Sequence, residues 1–117
     1  MAQYETHVTG DFYALLQYIE KSVIGSSITA SREGSSSFES DGVRCAVRVY
    51  ERYSWWGGNR LSLCITLFGK GNNLHLSAIA SGGSQALFCK VNTFGEEAFL
   101  QKFVRAVETF KIGQDVT

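Results

Sequence analysis

The chain has 117 residues, a length that fits one domain with a core of its own. Apolar residues make up 44% and charged residues 19%, and 11 basic side chains balance 11 acidic ones, giving zero net charge. A dedicated nucleic-acid-binding domain is usually basic as a whole, so this balance disfavours nucleic acid as a partner. No apolar run reaches the ~18 residues of a transmembrane helix, and the opening MAQYETHVTG lacks the basic and apolar parts of a signal peptide. We therefore expect no membrane span and a cytoplasmic location.

The N-terminal segment predicts a strand followed by a helix. The letters AQYETHV at 2–8 suit an extended strand, and the apolar period then changes to that of a helix between Gly10 and Gly25. Asp11 or Thr9 can cap the helix start, and Gly25 can end it. The apolar stripe of this helix comprises Phe12, Leu15, Leu16, Ile19 and Val23.

Residues 27–92 predict five strands, because the apolar period becomes two and four turn signals divide the segment. Asp41-Gly42 and Gly82-Gly83 suit two-residue hairpin turns, whereas residues 54–58 and 70–73 suit longer loops. These loop lengths set a register in which most apolar side chains share one face. Phe38 then opposes Cys45, Val49 opposes Leu63, Leu67 opposes Leu76, and Ala78 opposes Leu87. The predicted core face comprises Ile28, Ala30, Phe38, Cys45, Val47, Val49, Leu61, Leu63, Ile65, Leu67, Leu74, Leu76, Ala78, Leu87, Cys89 and Val91.

A second helix is predicted over residues 93–113. Thr93 and Glu96 have the spacing of a capping box, and Gly113 follows the last apolar position. The stripe of this helix comprises Phe99, Phe103, Ala106, Val107 and Phe110. The predicted fold is a single α+β domain over 1–117, an antiparallel meander sheet of five to six strands with two helices on one face.

The same register places a row of arginines on the face opposite the core. Arg44, Arg48 and Arg52 alternate along one strand with Ala46 and Tyr50, and Glu39 opposes Arg44 as a cross-strand ion pair. Three interpretations stay open: a solvated face, an interface with another protein, or a nucleic-acid surface that pairs arginines with stacking aromatics. Large apolar residues on this predicted face, Phe68, Ile79 and Phe88, support the interface interpretation.

Trp55 and Trp56 lie in a predicted hairpin loop. Two interpretations stay open: one of them folds back over the sheet edge, or they anchor a ligand or partner. The candidate ligand- or partner-binding residues are therefore Arg48, Tyr50, Trp55, Trp56, Phe68 and Phe88.

The reactive side chains do not form a catalytic pattern. The cysteines predict reduced thiols, with Cys45 and Cys89 in the core and Cys64 the most accessible. His7 and His75 have no acidic residue at a metal-binding spacing, and Cys64 lies two pairs away from His75 in the predicted register. We expect no catalytic residue, no metal and no cofactor.

Two segments resemble the signature segments of a family of small bacterial proteins of unknown function, and the likeness covers nearly the whole chain. They are GVRCAVRVYERYSWWGGNRLSL at 42–63 and SGGSQALFCKVNTFGEEAFL at 81–100. The order of elements is also similar to a reduced helix-grip fold. That second resemblance implies an apolar ligand held between the sheet and the C-terminal helix, although a fold alone does not establish a function.

Two functional hypotheses follow. The first is a non-enzymatic binding module for a small apolar or amphipathic ligand, with space left by Ala30, Ala78 and Ala80 between sheet and C-terminal helix; those small residues can equally serve close packing. The second is an interaction protein that forms a homodimer through the outer sheet face.

Overall fold

The computed structural model describes residues 2–53, 60–82 and 89–116, with side chains except those of 89–99 and 114–116. The elements in chain order are β1 (Ala2–Thr9), α1 (Phe12–Ile24), β2 (Ser31–Ser40), β3 (Val43–Tyr53), β4 (Arg60–Lys70), β5 (Asn73–Gly82) and α2 (Cys89–Val116). The strands form one antiparallel sheet in the order β1-β5-β4-β3-β2. The predicted α+β class, with a five-stranded antiparallel sheet and two helices, is confirmed.

Local sequence signals explain how α1 begins and ends. The Asp11 side chain accepts a hydrogen bond from the Ala14 backbone N–H at 2.8 Å, so Asp11 is the N-cap. At the other end, the Gly25 N–H donates to the Lys21 carbonyl at 2.9 Å. The buried residues of α1 are Phe12, Leu15, Ile19 and Val23, as the helical period predicts.

Two hairpin registers agree with the turn chemistry. Phe38 pairs with Cys45 across the Asp41-Gly42 turn, where both turn residues have positive φ, as a type I′ turn requires. Leu67 pairs with Leu76 between β4 and β5. These pairings confirm the predicted registers of the β2–β3 and β4–β5 hairpins.

The predicted register between β3 and β4 is wrong by one residue. Val49 pairs with Cys64 instead of Leu63, because the connection spans the six residues 54–59 between the paired Tyr53 and Arg60. A shift of one residue turns every side chain of a strand to the other face. Since the β2–β3 register is as predicted, both strands are reversed relative to the predicted core. The predicted core residues Phe38, Cys45, Val47 and Val49 therefore lie on the outer face.

The C-terminal part of the predicted meander also differs. Cys89 and Val91, predicted on a fifth strand after α1, lie in the backbone of α2, which begins at Cys89 and not at the predicted Thr93. The edge of β5 that a further hairpin strand would need is occupied by β1, which pairs with β5 from Ala2↔Ala80 to Thr9↔Asn73. Predicted Leu87 and Phe88, like the Gly83 of the predicted turn, lie outside the described residues.

One core lies between the sheet and both helices. Leu63, Ile65, Leu67, Leu74, Ala78 and Ala80 are fully buried on the sheet side. From α2, Leu100, Phe103 and Val107 complete this core, and Phe103 makes an edge contact with Tyr4 at a ring separation of 6.4 Å. Ile28, predicted to belong to it, is 88% exposed. Within the described residues, no helix is long and apolar enough to cross a membrane.

Candidate functional site

The arginine row of β3 lies on the helix-covered side of the sheet, which corrects its predicted position on the outer face. Arg48 pairs with the buried Ile65 and Tyr50 with the buried Leu63, so their side chains share the core-side face. Tyr50 is fully buried, and its hydroxyl donates to Glu20 of α1 at 3.1 Å. The arginines therefore meet α1 instead of open solvent.

A cleft of about 510 Å³ opens between α1 and the β2–β3 hairpin. The helix contributes Phe12, Tyr13 and Leu16 to its apolar wall. The strands contribute the guanidinium groups of Arg32, Arg44 and Arg48. The cleft also reaches Phe38 and Cys45 at the border with the outer face. One side of the cleft is thus apolar and the other is cationic.

Acidic residues neutralise part of this charge. Nη1 of Arg32 lies 3.2 Å from each carboxylate oxygen of Glu20, which also accepts the Tyr50 hydrogen bond. Nε of Arg44 lies 3.7 Å from Glu39, beyond hydrogen-bonding distance. Three arginines and two glutamates line the cleft, so its side chains carry a net charge of +1.

Two cationic groups in the cleft keep unused donors. Nη1 of Arg48 donates to backbone carbonyls of Ser36 and Val47 at 3.0 Å and to the Ser37 hydroxyl at 3.1 Å. Among the described residues, no carboxylate forms an ion pair with Arg48. In the same part of the chain, the buried Nε of Arg44 finds no hydrogen-bond acceptor, although its guanidinium lies 5.1 Å from the centre of the Tyr13 ring. An oxyanion in the cleft would supply acceptors for the remaining donors of Arg48.

Burial raises the pKa of Tyr50, and the negative charge of Glu20 raises it further. The phenol therefore stays protonated in the neutral pH range and acts as a donor to Glu20. This bond holds the Glu20 carboxylate at the inner end of the cleft, beside Arg32. Tyr50 is thus a positioning residue behind the cleft and not a surface contact.

The structure separates the predicted binding residues. Arg48 lines the cleft and Tyr50 lies behind it, whereas Phe68 is 47% exposed on the outer face. Trp55, Trp56 and Phe88 lie outside the described residues. The predicted Glu39–Arg44 pair is present across β2 and β3.

Sequence reasoning missed the contribution of α1 to the cleft. Tyr13, Gln17 and Glu20 follow the helical spacing i, i+4, i+7 beside the apolar stripe, so a shared side of the helix was visible in the sequence. Without the correct β3 register, nothing indicated that this side faces arginines. Arg32 was missed because it precedes the irregular step between Arg32 and Gly34 in β2.

The remaining reactive side chains are dispersed. Cys64 opposes Ile79, as predicted, and this pair lies two same-face pairs, or four residue pairs, from the Phe68–His75 pair. His7 and His75 face each other across β1 and β5 with ring centroids 5.0 Å apart, and the described part of the chain holds no group of three or more metal-ligating residues. Cys45, predicted in the core, is partly exposed on the outer face, while the side chain of Cys89 is not described.

The small residues of β5 that were predicted to leave space for a ligand beneath the C-terminal helix lie in the core. Ala78 and Ala80 of β5 are fully buried in the same core as Phe103 and Val107 of α2. This agrees with the alternative that small residues allow close packing.

Comparisons with known proteins give a family and no activity. A family model described as a family of unknown function, DUF6054, matches residues 1–111. No curated protein and no solved structure matches the chain. The likeness to helix-grip domains stays a prediction from element order.

Proposed function

The chain belongs to DUF6054, a family of unknown function, and we propose that it is a non-enzymatic module that binds a small amphipathic anion. The ligand lies in the cleft between α1 and the β2–β3 hairpin. The observation that carries this proposal is the pairing of an apolar wall with Arg48, which has no acidic partner among the described residues.

The cationic side of the cleft suits a carboxylate or phosphate head group. Guanidinium groups form planar, paired hydrogen bonds with such oxyanions. Arg44 and Arg48 line the cleft from the same strand, four residues apart on one face. Glu20 and Glu39 neutralise two of the three arginines, so a single negative charge balances the site.

The apolar side suits the tail of the same ligand. Phe12, Tyr13 and Leu16 come from one side of α1, and the cleft volume of about 510 Å³ lies within the usual range for small-molecule sites. Burying alkyl surface here gives roughly 25 cal/mol per Å² before the cost of ordering the ligand. Affinity thus comes from the tail, and selection of an anion comes from the arginines.

The cellular location of this module is part of the proposal. We place it in the bacterial cytoplasm, because Cys45 and Cys64 are free thiols on a sheet surface, which suits a reducing compartment. A role in catalysis is not proposed, since the cleft holds no paired nucleophile and base among its described residues.

Titration calorimetry with dodecanoate, dodecyl phosphate and the neutral dodecanol tests the proposed ligand class. We expect the two anions to bind and dodecanol to bind more weakly. Arg48→Met should weaken dodecanoate binding by about 10- to 100-fold, since hydrogen bonds to charged groups contribute about 1.5–3 kcal/mol. Arg105→Met is the matched control, because Arg105 is exposed on α2, away from the cleft residues.

Three results would contradict the proposal: equal affinity for dodecanol and dodecanoate, equal losses in the Arg48 and Arg105 variants, or no binding of any probe. Thermal unfolding of both variants shows whether Arg48→Met remains folded, since Arg48 also bonds to the backbone of β2. Native mass spectrometry after incubation with a cell extract then identifies the natural ligand.

A further inference from the structure

The face of the sheet turned away from the helices is uncharged over its centre. Across the four strands β2–β5, three cross-strand rows, from the Phe38–His75 row to the Gly34–Ile79 row, contain no Asp, Glu, Lys or Arg, and the nearest charge is Glu5 of β1 beside Ser77. We call these rows the outer patch. Its apolar members are Phe38, Cys45, Val47, Val49, Phe68 and Ile79.

This composition is unusual for a sheet face in contact with water. An antiparallel sheet with one solvated face normally places polar side chains on that face. In the outer patch, Phe38 is 62% exposed and Phe68 is 47% exposed, and both flank Cys45 in one row. Contiguous apolar surface of this kind indicates a contact with another molecule.

The outer face has the area that a stable interface needs. Five strands about 4.8 Å apart, each about ten residues long at about 3.3 Å per residue, give a face of roughly 800 Å², of which the outer patch makes up roughly half and the more charged surroundings make up the rest. A standard protein interface buries about 800 Å² on each partner. The sheet can therefore supply one complete side of an interface without help from the helices.

We propose that the outer patch is covered by the outer patch of a second copy of this chain, forming a two-fold symmetric dimer with two sheets packed face to face. An uncharged surface offers nothing to select a charged foreign partner, and the same face of another copy has the matching shape and chemistry. The net charge of zero means that two copies do not repel each other. Face-to-face sheets pack about 10 Å apart, the geometry of a sandwich core.

Charged residues lie at both ends of the patch and not at its centre. By register, Lys70 lies on the outer face at one end of the β3–β4 pair, and Glu51, which forms an ion pair with Arg60, lies at the other end. A two-fold axis that runs across the strands in the plane of the interface reverses the strand direction of the second copy. Lys70 of each copy then lies at the rim beside the Glu51–Arg60 pair of the other, so these charges stay outside the centre of the contact.

Sedimentation equilibrium of the complete chain tests this dimer. We expect the wild type to show twice the 12.9 kDa of one chain. Phe68→Glu and Phe38→Glu should each halve that mass, because both place unpaired charge in the contact. Ile112→Glu should remain dimeric, since Ile112 is 63% exposed on α2, outside the sheet.

Thiol labelling shows whether the outer patch is covered and, together with the sedimentation mass, whether a second copy covers it. Cys45 and Cys64 lie within it, so they should react slowly with iodoacetamide in the dimer and faster in the monomeric Phe68→Glu variant. A monomeric wild type with readily labelled thiols would overturn the proposal. A monomeric wild type with protected thiols would also overturn it, and would show that something other than a second copy covers the patch. A dimer that persists in both Phe→Glu variants would place the interface elsewhere.

Discussion

Tyr50 is the residue whose position changes most between the sequence and the structure. The sequence pattern predicted it on an outer face between arginines, whereas it is fully buried and donates to Glu20 at 3.1 Å. Its large ring fills space beneath α1, while the neighbouring arginines extend their charged ends to the cleft. Burial of the one large aromatic ring therefore stabilises this register more than burial of the smaller valines that alternate with it would stabilise the predicted one.

The raised pKa of Tyr50 predicts a specific loss of stability in alkaline solution. Below about pH 10 the phenol is protonated in both the folded and the unfolded chain, so its contribution is constant. Above that pH the unfolded chain loses this proton while the folded chain keeps it, so the free energy of unfolding falls. The slope from this residue is about 1.4 kcal/mol per pH unit until the folded-state pKa is reached.

Urea unfolding of wild type and Tyr50→Phe between pH 8 and pH 11 measures this effect. The variant should lose about 1 kcal/mol at pH 8, because the bond to Glu20 is missing, and should fall less steeply above about pH 10. All other titrating groups are common to the two proteins, so the difference between the curves isolates Tyr50. Parallel curves would show that the phenol is not held in its protonated form.

At the scale of elements, caps, turns and the registers of short hairpins were predicted correctly, whereas a strand pairing between distant parts of the chain was not. The Asp11 cap, the Asp41-Gly42 turn and the β4–β5 register depend on residues close in sequence, where turn and cap chemistry decide the structure. The pairing of β1 with β5 joins the chain start to residues about seventy positions later. No local pattern encodes such a pairing, and it removed the edge that the predicted last strand required.

An error of one residue in the length of the β3–β4 connection places the β3 side chains of the cleft on the wrong face of the sheet. A five-residue loop puts Val47 and Val49 in the core, and the six-residue connection puts Ala46 and Tyr50 there. Both faces of β3 carry apolar side chains, so hydrophobicity alone does not separate the two registers. The cleft residue Arg48 was identified from the sequence, but its surroundings were not, because they follow from this register.

The packing of α2 predicts a large effect for one residue. Phe103 is 2% exposed and contacts Tyr4 of β1, so Phe103→Ala should lower the free energy of unfolding by about 3–5 kcal/mol. Gln101→Ala, on the exposed side of the same helix, is the control and should change it by less than about 0.5 kcal/mol. Similar urea midpoints for the two variants would mean that α2 does not pack on the sheet through this stripe.

At the scale of the whole molecule, the sheet separates two different surfaces. The helix side holds the core and the charged cleft, and the other side holds the uncharged outer patch. The two proposed sites meet at Phe38 and Cys45, which border the cleft and belong to the patch. Apart from this border the two sites use opposite faces of the sheet, so a ligand and a second copy can bind at the same time.

This arrangement predicts that ligand binding and dimerisation are separable. Arg48 lies in the cleft and outside the patch, whereas Phe68 lies in the patch and is not a cleft residue. Because Arg48 and Phe68 lie on opposite faces of the sheet and each belongs to only one of the two sites, Phe68→Glu should leave the dissociation constant for dodecanoate within about twofold of wild type. Arg48→Met should in turn leave the sedimentation mass unchanged, and the double variant should show both losses together. A Phe68→Glu monomer that no longer binds dodecanoate would show instead that dimer contacts at the Phe38–Cys45 border hold the cleft in shape, and the two sites would then be one cooperative unit.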